Sequence, residues 1–413
     1  FHSTVPPGWY AQSIPVFDEI RDIQFVDSLT GWLITTGSRP TNDTGYILKT
    51  TNGGVNWQIQ FRQTIDLHKI EMIDNNTGYV GGGLGAWATR YMFKTTNGGV
   101  SWDTILGTFA TGGRIEDISF INRDTGWYAD VDVFDGGLFK TTNGGVNWQR
   151  QRNPNQAPTL VQFINSNTGW MVYGQQIWKS TNGGDNWFFQ VNSLSSTIRS
   201  IFFLDENKGW AGGLLSLNTT AHIMYTTNSG LNWYASDGVK NINGGYDIFF
   251  VNDSVGWAGT YQVPYIMKTT NGGVFWGVQK LPYTSTNIVS AIRGDTSHAW
   301  SNRSHTSDGG GAIIYTGIEN ITSTVPSEYD LYQNYPNPFN PVTRIRFSLP
   351  QKSFTKLIIS DISGKIVSVL VNQELQSGEY EYTFDAINLS SGIYFYTMIT
   401  EKYKQTKKLI LLK

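Results

Sequence analysis

Thr50-Thr51-Asn52-Gly53-Gly54-Val55-Asn56-Trp57 returns along the chain as TTNGGVSW ending at Trp102, TTNGGVNW at Trp148, STNGGDNW at Trp187, TTNSGLNW at Trp233 and TTNGGVFW at Trp276. Asn-Gly-Gly is the chemistry of a tight hairpin, which needs positive φ at residues that reach it with little steric cost. Each octapeptide therefore reads as a turn between two strands, with Asn52, Asn97, Asn143, Asn182, Asn228 and Asn271 in the turn and Trp57, Trp102, Trp148, Trp187, Trp233 and Trp276 entering the core. A second signature runs between the copies: an apolar strand, a polar turn, then Gly-aromatic, as in IQFVDSLTGW to Trp32 and ISFINRDTGW to Trp127. Its glycines stand at 31, 78, 126, 169, 209 and 256, at intervals of 47, 48, 43, 40 and 47. A period of about 40 to 50 residues holding about four strands is that of a β-propeller blade.

In the first unit the four strands are expected at Arg21–Phe25, Gly31–Thr35, Tyr46–Thr50 and Val55–Phe61, the first of them lining the channel. A weakened seventh unit spans Ala291 to Trp300 and lacks a recognisable octapeptide; Gly311-Ala312-Ile313-Ile314-Tyr315-Thr316 matches the third strand of earlier units. Its fourth strand is expected from the other end of the chain, where Gly8-Trp9-Tyr10-Ala11 resembles Asn56-Trp57-Gln58-Ile59. The predicted fold is all-β: a seven-bladed propeller over residues 1–316, its last blade completed by the N-terminal strand so that two sheet edges are paired rather than left open, a linker at 317–328, and a small antiparallel β-sandwich over 329–413.

The composition agrees. Of 413 residues 14% are aromatic, 45 are Gly and 15% are charged, a balance that suits short strands and tight turns better than amphipathic helices. A net charge of -2 offers no basic surface for nucleic acid. The absence of Cys removes disulfides, thiolate metal sites and cysteine nucleophiles. No apolar run reaches the roughly 18 to 20 residues that span a bilayer. The chain begins at Phe1 rather than Met, as expected if a signal segment has been removed.

The spacing Ser/Thr-x-Asn-x-Gly-x-x-Trp resembles the Asp-box of sialidases and sortilin-type receptors, with Asn at the acidic position. The tandem of TTNGG-x-x-W with Gly-Trp strands, over roughly residues 9 to 316, resembles the photosystem II assembly-factor family of propellers. The resemblance implies fold; Asp-boxes in such families are structural turns away from the active site, and one fold hosts many functions. The repeated Trp and Gly residues are therefore read as scaffold.

Departures from the repeat are better pointers to function. From the Gly of Gly-Trp to the Asn of the next octapeptide the spacing is 21, 19, 17, 13, 19 and 15, while from that Asn to the next Gly it stays between 26 and 29. The length variation thus lies in one loop, on the face where chains enter the inner strands, and one-sided insertions mark a binding face. Arg21, His68, Glu116, Thr159, Arg199 and Tyr246 stand at the starts of the inner strands, with Lys69 and Arg114 adjacent, and are expected to ring a channel mouth suited to a carboxylate, an anionic sugar or an acidic peptide. Trp87, Tyr261 and Tyr265 fall in variable loops, where exposed rings could stack on a sugar or a partner protein. Asp130, Asp132 and Asp135 form a weak Ca²⁺ candidate without the distal bidentate Glu, and a solvated hairpin tip is the plainer expectation. No catalytic residue, metal or cofactor is assigned. The Arg, Tyr and Glu of the rim are scattered over distant blades, unlike a sialidase centre, so the reading favours binding over catalysis.

The pattern changes after Pro326. Tyr335-Pro336-Asn337-Pro338-Phe339-Asn340-Pro341, the turn glycines Gly364, Gly378 and Gly392, and the ending Lys407-Lys408-Leu409-Ile410-Leu411-Leu412-Lys413 resemble, in order and spacing, the type A sorting domain of type IX secretion. The resemblance implies export through the periplasm and outer membrane of a Bacteroidetes-type bacterium, with the secretion machinery and a sortase-like peptidase as partners, and cleavage in the linker before Tyr329. The expected protein is secreted or cell-surface, and binds a protein or glycan. A glycan-acting hydrolase or lyase at the channel mouth and a structural subunit of an extracellular assembly are the alternatives.

Overall fold

The computed structural model describes residues 8–36, 44–83, 90–108, 113–132, 136–152, 157–192, 197–213, 223–238, 244–260, 263–285, 288–311, 313, 318–322, 325–386 and 389–412. The chain is all-β, and the described residues form nine sheets. The first holds Glu19–Phe25, Gly31–Thr36, Gly45–Thr50 and Gln58–Gln63, antiparallel and in chain order. Its last strand begins three residues later than expected because the turn keeps the backbone occupied as far as Trp57. Four further sheets repeat this order, and the sheet that ends in Phe275–Ser285 repeats it with a fifth strand, Asp237–Gly238, added parallel to its outer edge.

The turn works through one hydroxyl and one amide. Gly54 N–H donates to Thr50 Oγ1 at 2.9 Å, Thr50 Oγ1 donates to Asn52 Oδ1 at 2.9 Å, and Asn56 N–H donates to the same oxygen at 2.9 Å. In these bonds Asn acts as an acceptor through its oxygen, so it serves where a carboxylate would. Gly53 and Gly54 take φ of 71° and 92°, which β-carbon-bearing residues rarely adopt.

The second signature explains how neighbouring sheets lock. Trp127 stacks on Phe163 of the next inner strand at 3.6 Å, Trp170 on Phe203 at 3.5 Å and Trp210 on Phe250 at 3.5 Å. Each of these Phe rings also meets its own sheet's octapeptide Trp edge-on, as Phe163 meets Trp187 at 5.9 Å. The ring lies flat on the Gly of Gly-Trp: a Cβ added at Gly126 would fall 2.3 Å from Phe120, so a larger residue there would expel the ring. Lysines add a second grip, Lys49, Lys94 and Lys140 donating to Gly98, Gly144 and Gly183 carbonyls of the next turn at 2.8, 2.9 and 3.2 Å.

The seventh sheet departs from expectation. Its third strand is Ser304–Thr306, earlier than the expected Gly311–Thr316, and it pairs with Tyr10–Ala11. The octapeptide that looked absent is Thr306-Ser307-Asp308-Gly309-Gly310, where Thr306 Oγ1 donates to Asp308 Oδ1 at 2.7 Å and Gly310 N–H donates to Thr306 Oγ1 at 2.7 Å. Ile313 stands in the Trp position, and the aromatic comes instead from Trp9, just before the N-terminal strand as Trp57 precedes Gln58. The motif is split between the two ends of the chain. Between this sheet and the first, Trp300 stacks on Phe25 at 3.6 Å and donates to Gly53 O at 3.0 Å.

Two four-stranded sheets follow. One is ordered Ile318–Asn320, Gly378–Asp385, Val342–Leu349, Asp330–Leu331; the other Ile366–Leu375, Ser353–Ser360, Gly392–Ile399, Lys404–Leu411. One buried cluster draws on both, including Phe347 and Tyr382 from the first and Leu357 and Tyr396 from the second. The expected linker at 317–328 is therefore corrected: Ile318–Asn320 is an edge strand of the C-terminal sheet, its backbone paired with Tyr380–Tyr382. Among the described residues no helix is long and apolar enough to cross a membrane.

Candidate functional site

Each inner strand offers its central edge to the channel, and side chains of the neighbouring strand satisfy its backbone. Asp22 accepts from Ile70 N–H at 3.0 Å, Asp117 from Val161 N–H at 2.8 Å and Asp247 from Val289 N–H at 2.8 Å. One layer below, Glu71 accepts from Phe120 N–H at 2.7 Å, Ser119 from Phe163 N–H at 2.9 Å and Ser290 from Phe25 N–H at 3.1 Å. Lys69 lies amid the acids, 3.2 Å from Asp22. Burial opposes its charge, but Asp22, Asp117 and Asp247 outweigh that and raise its pKa. One ammonium cannot balance the group: burial pushes Glu71 up to about 8, Asp117 to about 7 and Asp247 to about 6.

Above this layer the inner strands bulge. Pairing skips from Ile20 to Asp22, from Leu67 to Lys69, from Ile115 to Asp117 and from Ile198 to Ser200, so the extra residues are Arg21, His68, Glu116 and Arg199. A bulge re-aims the extra side chain. These four, with Lys69 and Tyr246, line one cavity of about 210 Å³, together with Glu19, Asp22, Asp117, Ser200 and Asp247. Thr159 is not in its wall. The Arg199 guanidinium lies 5.9 Å from the Tyr246 ring centroid. Arg21 is 3.9 Å from Glu19, a loose contact with side chains 42% and 62% exposed. Arg114, at the edge, holds Glu116 through Nε at 2.6 Å, with His68 3.7 Å from the same carboxylate. Burial brings the His68 imidazole down to about 4, so it is neutral at pH 7. Burial would raise Glu116, but His68, once protonated in acid, and Arg114 hold it below the usual carboxylate range. The mouth thus combines a cationic, aromatic rim with an acidic floor.

The other expected candidates fare differently. Tyr265 packs beside the buried Ile248, Phe250 and Met267 cluster, which makes it part of the fold. Trp87, Tyr261 and Asp135 lie outside the described residues. Asp130 and Asp132 are not a solvated tip: both are buried, and Arg90 reaches them at 2.7 and 3.6 Å. The cation they meet is a guanidinium, because their strand end is covered by the preceding sheet. Among the described residues no group of His, Cys, Asp and Glu could hold a metal ion. Sequence reasoning passed over Asp22, Asp117 and Asp247, although the repeated Asp-Ile of the inner strands was a visible signal.

At the C-terminal end the Asn-Pro motif covers the outer edge of the last strand. Phe339 N–H donates to Ile410 O at 3.0 Å, Leu412 N–H to Phe339 O at 2.9 Å, and Ile410 N–H to Asn337 Oδ1 at 2.9 Å. Ala386 N–H donates to Pro341 O at 2.9 Å, and Phe339 is buried. Pro336, Pro338 and Asn340 flank these contacts, while Gly364 turns with φ of 84°. Residues 333–412 match the family model of the secretion system C-terminal sorting domain. The sorting domain marks the chain for secretion to the cell surface or the extracellular space.

Solved structures resemble the chain at low identity. YCF48 bound to D1 peptide is 16% identical, over 73% of this chain and 97% of that one, with a TM-score of 0.56. YCF48 from Cyanidioschyzon merolae is 17% identical, over 74% and 100%, at 0.55. PorZ, described as an essential bacterial surface component of the type IX secretion system of Porphyromonas gingivalis, is 13% identical, over 98% of this chain and 61% of PorZ, at 0.51. These likenesses speak for a propeller fold and for nothing beyond the fold. No curated protein sequence matches the chain.

Proposed function

We propose that this is a secreted or cell-surface binding protein: a closed seven-bladed propeller within residues 1–316, followed by a sandwich-type sorting domain. The sorting domain carries the chain through the periplasm and outer membrane by type IX secretion, engaging the secretion machinery and a sortase-like peptidase. The propeller binds an anionic group of a protein or glycan at the channel mouth. The observation that carries this reading is the set of bulges that turns Arg21, His68, Glu116 and Arg199 into one cavity beside Tyr246. Regular strands would satisfy the scaffold; bulging four of them at the same level costs pairing and yields a shared, charged opening.

Binding is favoured over hydrolysis because the cavity carboxylates are engaged. Glu116 is held by Arg114, and Asp117 and Asp247 accept backbone N–H groups of adjacent strands. A protein segment is a fitting occupant, in keeping with the peptide named in the YCF48 complex. The likeness to PorZ supports a second reading, a subunit of an extracellular assembly, which would use the same face. A glycan and surface-protein binding screen tests the proposal. Arg21→Ala and Arg199→Ala should each weaken a detected interaction about ten- to hundredfold, the loss of a charge-assisted hydrogen bond. Unchanged binding in both variants rules out the mouth.

A further inference from the structure

The C-terminal domain takes more from the preceding chain than a tether. Ile318–Asn320 pairs antiparallel with Tyr380–Tyr382, and Ile321 N–H donates to Glu379 O at 2.9 Å, so the backbone upstream of the sorting motif supplies an edge strand to the sorting sheet. Only four residues separate that strand from Ile313, the last position of the split seventh octapeptide. At about 3.3 to 3.6 Å per residue, this connection allows the domain little travel.

Two departures from the repeat meet at the same place. The seventh octapeptide position is Asn56, Ser101, Asn147, Asn186 and Asn232 in five copies, and Phe275 in the sixth. Ile313 holds the position that is Trp elsewhere. Phe275 and Ile313 are both buried and pack together, with Val369 of the sorting sheet against them. A polar turn residue has become apolar where a strand of the other domain covers it, the substitution expected of an interface. The segment that follows is accessible: Ile321 is 39% exposed and Val325 62%.

We propose that the sorting domain is docked on the propeller by the donated strand Ile318–Asn320 and the apolar notch at Phe275 and Ile313, so that a backbone cut between Asn320 and Tyr329 nicks the protein without releasing the domain. This goes beyond the assignment of the domain as a sorting signal and rests on its two-sheet reading. The strand would remain covalently part of the propeller while hydrogen-bonded within the sorting sheet, as a split domain.

The test uses the full chain with a site-specific protease sequence inserted after Val325. After complete cutting, the two fragments should co-elute in size exclusion at micromolar concentration. Glu319→Pro removes a backbone N–H from the paired edge, two residues before the bonded Ile321, and Phe275→Asn restores the polar repeat residue. The doubly substituted, cut protein should separate into two peaks. Separation of the unsubstituted fragments, or co-elution of the doubly substituted ones, overturns the proposal. Circular dichroism of the separated sorting fragment tells the two readings apart: a retained β signal confines the failure to docking, whereas an unfolded fragment overturns the two-sheet domain as well.

Discussion

Replacing Trp300 by Ala tests whether the sheets close into a ring. Trp300 is fully buried, stacks on Phe25 at 3.6 Å and donates to Gly53 O at 3.0 Å, joining the seventh sheet to the first. Truncating a buried Trp costs about 3 to 5 kcal/mol. Losing the hydrogen bond adds about 1 kcal/mol or less, because Gly53 O keeps the bond from Gln12 Nε2 at 3.0 Å. Trp170, equally buried and stacked on Phe203 at 3.5 Å, lies at an interface between sheets that are consecutive in the chain and serves as the control. In a closed ring the two Ala variants lose similar stability, measured as the shift in urea midpoint with the denaturant slope unchanged. Trp300→Phe should recover most of the loss, since it keeps an aromatic stack. If Trp300→Ala costs under about 1 kcal/mol while Trp170→Ala costs more than about 3 kcal/mol, the closing seam contributes little and the ring reading fails.

Thr306→Val and Thr50→Val should each cost about 1 to 3 kcal/mol, since both hydroxyls hold a glycine N–H of their turn; a silent Thr306 variant in thermal unfolding would deny that the seventh octapeptide exists. Arg90→Ala leaves Asp130 and Asp132 buried without their guanidinium and should cost about 3 to 5 kcal/mol; restoration of the melting temperature by Ca²⁺ would reinstate the cation site that the structure assigns to Arg90. Burial raises the folded-state pKa of Glu71 to about 8, above its unfolded value, so the folded protein binds the extra proton and loses stability as pH rises through this range. Glu71→Gln should therefore match the unsubstituted protein near pH 5 and become the more stable of the two by pH 8.5, and a pH-independent gap in urea midpoints would refute the shift. Deleting residues 329–413 should hold the protein in the periplasm, and undiminished surface labelling would count against the sorting assignment.

The turns and the stacking residues were legible in the chain because they are local and repeated. Thr50, Asn52 and Gly54 bond to one another within five residues, so the same chemistry is spelled out in every copy. The sorting motif was legible for a similar reason, as a continuous Pro-Asn run with turn glycines at fixed distances. What belongs to two distant segments was not. The seventh octapeptide escaped notice because its Trp sits at residue 9 while its turn sits at 306–310, and only strand pairing between Tyr10 and His305 brings the halves together. Arg21, His68, Glu116 and Arg199 could be nominated from their place in the strand, yet it is the register slip against the second strand that turns them toward a common cavity. Asp130 and Asp132 read as an exposed loop until Arg90 of the preceding sheet was seen to cover them. Ile318–Asn320 read as a linker because three residues carry no pattern of their own and become a strand by pairing with Tyr380–Tyr382. The repeating unit and the export signal of the protein were written in short-range patterns. The N-terminal strand that pairs at residues 10–11 was legible too, from its likeness to the earlier fourth strands. The convergence of the mouth residues in one cavity, the place of the seventh turn and the junction of the two domains came from tertiary structure, because each depends on backbone pairing between segments far apart in the chain.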